Sequence, residues 1–367
     1  MSMKLNHNKV AVAMSGGIDS SVTAFLLKRI GYEVIGVTMY LYDEIGEDGL
    51  PAPQKEIFEA RRIAESLGIQ HHVADFRPAF DWVVKQPFAK AYAEGKTPNL
   101  CVECNRQIKY GKLLEYAMEM GAYYLATGHY ASVEFDDESN RHRLYCAKAE
   151  DKDQSYLLHR LGQGQLSHVL LPLGDVFSKD QVREAALEMG IDFVKKKDNK
   201  DICFVPGKNF INFVEASMHS AVMPGEFVDM EGNVLGVHDG IARYTIGQRK
   251  GLGDTFDRRY CIVAIDTENN RVVLGEDAET YASEISVERV NFIPFGSLQL
   301  PIKVKIKVCQ LGWFLDGEIF PERDKTVRVV FDKPERAPAL GQWAVFYRDG
   351  EVLGGGIIQH IKRGFKE

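Results

Sequence analysis

An excess of basic charge is missing from this chain. Its 45 Lys and Arg residues are outnumbered by 52 Asp and Glu, for a net charge of −7 and a pI near 5.9. That balance excludes a surface built for indiscriminate nucleic-acid binding, though not a shaped RNA held by local basic patches. Long apolar runs are missing too: none approaches the ~20 residues needed to span a bilayer. The opening MSMKLNHNKVAVAMSGG has no apolar stretch ahead of a small-residue cleavage site, so no secretory leader is expected. A cytoplasmic protein without a membrane partner follows as the expectation. Cysteine is scarce, six in 367 residues, which excludes a disulfide framework and leaves reduced thiols. Repeats and low-complexity tracts are also absent. What remains is ordinary for a globular chain, 45% hydrophobic and 26% charged, long enough for two or three domains.

The first part alternates strand-like and helix-like segments, as in a parallel sheet covered by helices. Val10–Met14 reads as a buried strand. Ser20–Ile30 carries Val22, Phe25, Leu26 and Ile30 at helical spacing. Glu33–Met39 is a strand, Gln54–Leu67 a helix and Ile69–Asp75 a strand. A Pro-containing loop at Thr97–Asn105 precedes a helix over Gln107–Met120 and a strand over Tyr123–Thr127. From Pro224 onward short alternating runs are separated by Glu231-Gly232-Asn233, Glu268-Asn269-Asn270 and Arg348-Asp349-Gly350, a β pattern. The expected fold is α/β: a parallel-sheet nucleotide domain over 1–205, a small β-rich domain over 206–290 and a closing β-barrel over 291–367.

Between the first strand and helix stands Ser15-Gly16-Gly17-Ile18-Asp19-Ser20-Ser21. This is where an open parallel sheet binds ligands, beyond the carboxyl ends of its strands. Two glycines let the backbone approach a phosphate, and a helix N-terminus adds N–H groups and a favourable dipole. Ser15, Ser20 and Ser21 can donate hydroxyls, and Asp19 can hold a phosphate-bridging Mg²⁺. No Lys follows the second glycine, so the loop is not the common P-loop. It resembles the pyrophosphate-releasing loop of the N-type ATP pyrophosphatases. That resemblance implies cleavage of ATP between its α- and β-phosphates to adenylate a substrate oxygen.

Cys101 and Cys104 form Cys-x-x-Cys in TPNLCVECNRQIKYG, and Cys203 lies in DICFVPGKNF. Such a pair can be redox-active, half of a zinc site, or a persulfide or cluster site. Zinc is disfavoured, because the one close histidine pair, His71-His72, lies in a strand. Cys146, Cys261 and Cys309 sit in strand-like runs and read as small buried side chains.

SGGIDSS, TPN-x-x-x-x-CN-x-x-IKY, ATGHY, KDQSYLL, DICFVPGKNF, YTIGQRKGLG and GQWAVFY occur in this order from Val10 to Ile358. Together they resemble the tRNA-specific 2-thiouridylase (MnmA/TrmU) family. The resemblance implies replacement of the C2 oxygen of the wobble uridine by sulfur, with ATP and Mg²⁺ as cofactors. It implies tRNA as partner, with Lys, Gln and Glu isoacceptors expected, and a sulfur donor protein or free sulfide. Carried over, Cys104 is the nucleophile and Cys203 the persulfide carrier. Ala13, Met14, Ser15, Gly16, Gly17, Ile18, Asp19, Ser20, Ser21, Met39 and Gly128 form the ATP site. Asn99 meets the target base, while Leu100, Cys101, His129, Lys152, Asp153, Gln154 and Gln342 meet tRNA.

Two departures stand out. The family's PNPD-x-x-C becomes Pro98-Asn99-Leu100-Cys101-Val102-Glu103-Cys104, which adds a third thiol. Cys101, Cys104 and Cys203 could then ligate a [4Fe–4S] cluster as readily as serve a disulfide–persulfide route. In the barrel, Lys307 stands nearest to the family's Arg-Tyr-Arg-like RNA element, keeping charge but losing the bidentate fork. Lys195-Lys196-Lys197 and Arg249-Lys250 are further phosphate candidates. The competing readings are a small-molecule adenylating synthetase and an inactive RNA-binding homologue. Without the ordered motifs, His129 would be a strand-end residue, Lys152-Asp153-Gln154 a helix start and Gln342 an exposed turn residue.

Overall fold

The computed structural model describes residues 5–45, 51–190, 202–205, 210–218, 223–252 and 259–363. The expected basic run Lys195–Lys197 lies outside them. Contacts divide the chain into two compact units, the first containing 1–84, 101–199 and 349–353, the second 85–100, 200–348 and 354–367.

The first unit is built on a five-stranded sheet. In spatial order its strands are Gln70–Asp75, Glu33–Tyr40, Asn6–Ala13, Ala122–Ala126 and Val169–Leu170, all parallel. Val10, Ala11 and Val12 are fully buried, as expected of a strand covered on both faces. Val10, Val12 and Met14 pack with Ala24, Leu27, Ala60, Ile63 and Ala64 from the helices Ile18–Arg29 and Lys55–Leu67. The first helix differs from its expected apolar stripe. Ser20, Ser21, Val22, Thr23, Ala24 and Leu27 are buried, whereas Ile30 is 70% exposed just past the helix end. Small side chains face inward because this helix is hemmed in by the helix Lys179–Glu188 as well as by the sheet.

The expected loop Thr97–Asn105 is shorter than the sequence suggests. Cys101–Glu103 is already α-helical, Cys104–Leu113 winds as a π-helix, and Leu114–Glu119 returns to α. The expected helix over Gln107–Met120 thus starts earlier, and its wider π turn sets the spacing of the inward positions Ile108, Tyr110 and Leu113.

In the second unit, the helices Gln86–Ala93 and Phe210–Ser217 meet through Phe88, Tyr92, Phe204, Phe210 and Phe213. A four-stranded sheet runs Val234–His238, Gly225–Val228, Arg271–Gly275, Cys261–Asp266 over a core that includes Phe227, Tyr244, Ile262 and Leu274. Its hairpins turn at the expected Glu231-Gly232-Asn233 and Glu268-Asn269-Asn270. Six strands close the barrel. Tyr281–Phe292 pairs with Val327–Arg336 on one side and with Glu351–Arg363 on the other, and Leu315–Pro321, Ile302–Lys307 and Trp343–Arg348 complete the ring. The barrel's first strand thus begins at Tyr281, before the expected limit at 290/291.

Candidate active site

In the first unit, the central strands Asn6–Ala13 and Ala122–Ala126 are sheet neighbours although far apart in sequence. The direction of strand order reverses between them, and their carboxyl ends open the crevice where such sheets take ligands. Ser15–Ser21 leaves one strand end and Thr127–Tyr130 leaves the other. Gly16 has φ +69°, and a Cβ there would lie 2.7 Å from Glu59 Cβ and 3.0 Å from Glu56 O. Only glycine fits both the conformation and the space. A Cβ on Gly128 would stand 2.9 Å from Asp19 C and from Ser20 N, so the second glycine lets the two strand ends meet.

The hydroxyls of this loop do more holding than reaching. Ser20 Oγ accepts from Ser15 N (3.2 Å) and donates to Gly17 O (3.1 Å), while Ser21 Oγ donates to the same carbonyl (2.8 Å). Both residues are buried, and Ser15 is exposed. Gly17 supplies no side-chain cap, so the first amides of the helix Ile18–Arg29 face the loop mouth, a setting suited to an anion. Thr38 Oγ1 donates to Met14 O at 2.8 Å and ties the loop's root to the neighbouring strand, on which Met39 is half-buried.

One residue was missed from sequence. Lys179, first in its helix and 12% exposed, places Nζ 2.6 Å from both carboxylate oxygens of Asp19. Tyr130 Oη donates to Asp19 Oδ1 at 2.7 Å. An ammonium, a phenol and a carboxylate therefore converge beside the glycine loop. The sequence signal was faint: Ser178 before Lys179-Asp180 reads as an ordinary helix start.

His129, expected at tRNA, is buried. Its Nδ1 lies 2.6 Å from Thr127 Oγ1 and 3.2 Å from Tyr110 Oη, and desolvation, then Lys109, pushes its pKa well below the usual value. Burial thus favours the neutral form of the ring. Asp153 is held in the fold, its carboxylate accepting from Ala147 N, Ser155 N and Ser155 Oγ. Gln154 Oε1 accepts from Tyr130 N, which fixes the chain after Gly128. Lys152 ends a short 3₁₀ turn beside them.

Cys101 is exposed as a residue, yet chain crowding around its sulfur pushes the thiol pKa up against the pull of Lys109. Cys104 is half-buried at the start of the π-helix. Next to it, Glu103 gathers Arg106, Gln107 and Arg160. Cys203 belongs to the second unit and is exposed. Among the described residues no group of three His, Cys, Asp or Glu side chains stands ready to hold a metal. Of the remaining cysteines Cys261 is buried, whereas Cys146 and Cys309 are half-buried and so depart from expectation.

In the second unit the segment of Thr97 and Asn99 lies against that of Leu340 and Trp343, which flank Gln342. Asn99 O accepts from Trp343 Nε1 (3.0 Å), Asn99 Nδ2 donates to Gln310 Oε1 (3.4 Å), and Thr97 N donates to Leu340 O (2.9 Å). Gln342 Oε1 is buried with no hydrogen-bond partner among the described residues, a lack that a ligand donor would repair. Leu100 is half-buried at the end of this segment. Lys307 Nζ lies 4.7 Å over the Phe314 ring. Arg249 pairs with Asp277 at 2.5 Å, and Arg336 joins the same carboxylate, so Arg249 is not an isolated cation.

A glycine-rich turn at the reversal point of a five-stranded parallel sheet, with an uncapped helix start, defines a nucleotide-binding site of the HUP class. Residues 8–207 match the family model described as tRNA methyl transferase HUP domain. Residues 211–276 match the corresponding PRC-barrel domain, and 282–358 an aminomethyltransferase beta-barrel domain. The chain is 43% identical over 360 residues to tRNA-specific 2-thiouridylase MnmA of Acetivibrio thermocellus, covering 97% of this chain and 100% of that one. It is 45% identical over 363 residues to tRNA-specific 2-thiouridylase MnmA 1 of Caldanaerobacter subterraneus, covering 97% and 99%. The protein of that name from Clostridioides difficile is 42% identical over 356 residues, covering 96% and 98%. The chain belongs to the tRNA-specific 2-thiouridylase family.

Proposed function

We propose that the protein is a tRNA-uridine 2-sulfurtransferase that adenylates the C2 oxygen of the wobble uridine and replaces it with sulfur. The observation that carries this reading is the Gly16–Gly128 crevice with Lys179 and Asp19 at its mouth, in a chain related over almost its full length to 2-thiouridylases. Such a crevice suits the phosphates of ATP, with Ala13–Ser21, Met39 and Gly128 around the nucleotide. The Asp19 carboxylate is a hard oxygen donor fitting Mg²⁺, which would neutralise phosphate charge when bound. Lys179 would then exchange Asp19 for phosphate oxygens.

Uracil C2 is a weak electrophile, and its oxygen leaves poorly. Attack of that oxygen on the α-phosphorus expels pyrophosphate and turns the oxygen into part of an AMP leaving group. The terminal sulfur of a Cys203 persulfide attacks C2, AMP departs, and C2 is joined to Cys203 through a disulfide. The Cys104 thiolate attacks the Cys203 sulfur, releasing the thiouridine and forming a Cys104–Cys203 disulfide. A thiol reductant reopens that disulfide, and a sulfur donor reloads Cys203. A [4Fe–4S] cluster held by Cys101, Cys104 and Cys203 would be the alternative carrier of the sulfur, and iron and sulfide analysis of active, anaerobically purified protein distinguishes the two routes.

Asn99 and Gln342 are proposed to hold the target nucleotide, Lys152 and Lys307 the tRNA backbone. Lys, Gln and Glu tRNAs are the proposed substrates, and the cytoplasm the proposed compartment. No helix among the described residues is long and apolar enough to cross a membrane. The test is mass spectrometry of nucleosides from unmodified tRNA incubated with the protein, ATP, Mg²⁺ and a sulfur source. 2-Thiouridine should form, and Cys104→Ala should abolish it while AMP is still released. Full thiolation by Cys104→Ala would overturn the mechanism.

A further inference from the structure

The turn between the barrel strands Ile302–Lys307 and Leu315–Pro321 carries Gln310-Leu311-Gly312-Trp313-Phe314. Trp313 is 88% exposed, Leu311 82% and Phe314 47%. Scattered exposed apolar residues need no explanation, but three on one tip form a surface that water disfavours unless something covers it. The tip is not slack. Gly312 N donates to Cys309 O at 3.1 Å, and a Cβ on Gly312 would fall 2.8 Å from Cys309 Sγ. Phe314 packs edge-on against Tyr347 at 5.0 Å and lies under Lys307. At its other end the tip holds Gln310, which accepts from Asn99.

We propose that Trp313 is a stacking platform for a nucleobase of the single-stranded anticodon loop, beside the base held at Asn99; this rests on the tRNA-thiolating function above. Unpaired bases are recognised by stacking on aromatic faces, and a neighbouring cation serves the attached phosphate. The tip supplies both, Trp313 as the open ring and Lys307 as the cation. Its continuity with Asn99 through Gln310 favours RNA over a protein partner. Stacking is tolerant of base identity, so Trp313 contributes affinity and leaves sequence choice to polar residues.

The test uses the full chain and a synthetic anticodon stem–loop RNA with unmodified uridine at the wobble position. Trp313→Ala should raise the RNA concentration for half-maximal thiolation about tenfold with little change at saturation, and Trp313→Phe should restore most of the loss. RNA should quench wild-type tryptophan fluorescence more than that of Trp313→Phe. Unchanged half-saturation in Trp313→Ala, with equal quenching in both proteins, would overturn the proposal. So would loss of self-association in Trp313→Ala with RNA binding intact, which would assign the tip to a second copy. If wild-type protein thiolates no RNA, the functional reading itself fails, and the two failures are distinct.

Discussion

Asp19 sits where one charge decides what the site can do. Its carboxylate is neutralised by Lys179 and bonded by Tyr130 before any ligand arrives. A phosphate chain brings negative charge to the same place, so Lys179 has a second partner within reach and Asp19 is released toward a cation. Lys179→Met removes a positive charge at the point where charge builds up as pyrophosphate leaves. It should lower the rate of AMP formation roughly 10²–10³-fold in single-turnover measurements, with tRNA affinity unchanged. An equal loss of tRNA binding would point to a folding defect instead. Sequence alone did not single out Lys179, since a lysine opening a helix is common. It did single out Asp19, because an acid in a glycine loop is not. Burial of His129, which no spacing reveals, favours its neutral form beside Thr127 and Tyr110.

Strand ends and helix starts were legible because glycine punctuates them. The strand run before Ser15 and the Gly-His-Tyr after Thr127 both fall at carboxyl ends of neighbouring parallel strands, as the α/β pattern implies. The close approach of Gly128 to Asp19 was not legible, because it joins segments remote in sequence. Nor was the π-helix Cys104–Leu113, whose wider turn obscures the α period. Gly128→Ala tests the approach. Its methyl would meet main-chain atoms of Asp19 and Ser20 and force the helix Ile18–Arg29 away from the strand end. The expected outcome is ATP affinity down at least tenfold by calorimetry, with a stability cost of about 1–3 kcal/mol. Wild-type ATP affinity in this variant would mean that the two strand ends do not share the nucleotide.

Acid should loosen the nucleotide unit well before its carboxylates titrate. His129 and His159 are both buried there. Desolvation, then the Lys109 charge, holds His129 well below the usual value, and desolvation outweighs a hydrogen bond to Tyr156 O to hold His159 at about 3. An unfolded histidine titrates near 6.5. Between those values the unfolded chain binds protons that the folded chain refuses, so stability rises with pH across the window and falls as pH drops below about 6.5. Each histidine contributes a slope of about 1.4 kcal/mol per pH unit. Burial shifts His71 and His142 in the same direction. Asp75 and Asp136 are held below the usual carboxylate range by hydrogen bonds. Their contribution is present above the unfolded value near 3.8 and is lost only as pH falls through the lowered one. Urea unfolding should therefore show a lower midpoint at pH 5.5 than at pH 7.5, in the transition that added ATP moves upward. His129→Gln should lower stability at pH 7.5 but make its pH dependence shallower, by about 1.4 kcal/mol per pH unit at most. Parallel pH profiles for the two proteins would show that His129 is not the buried neutral group described.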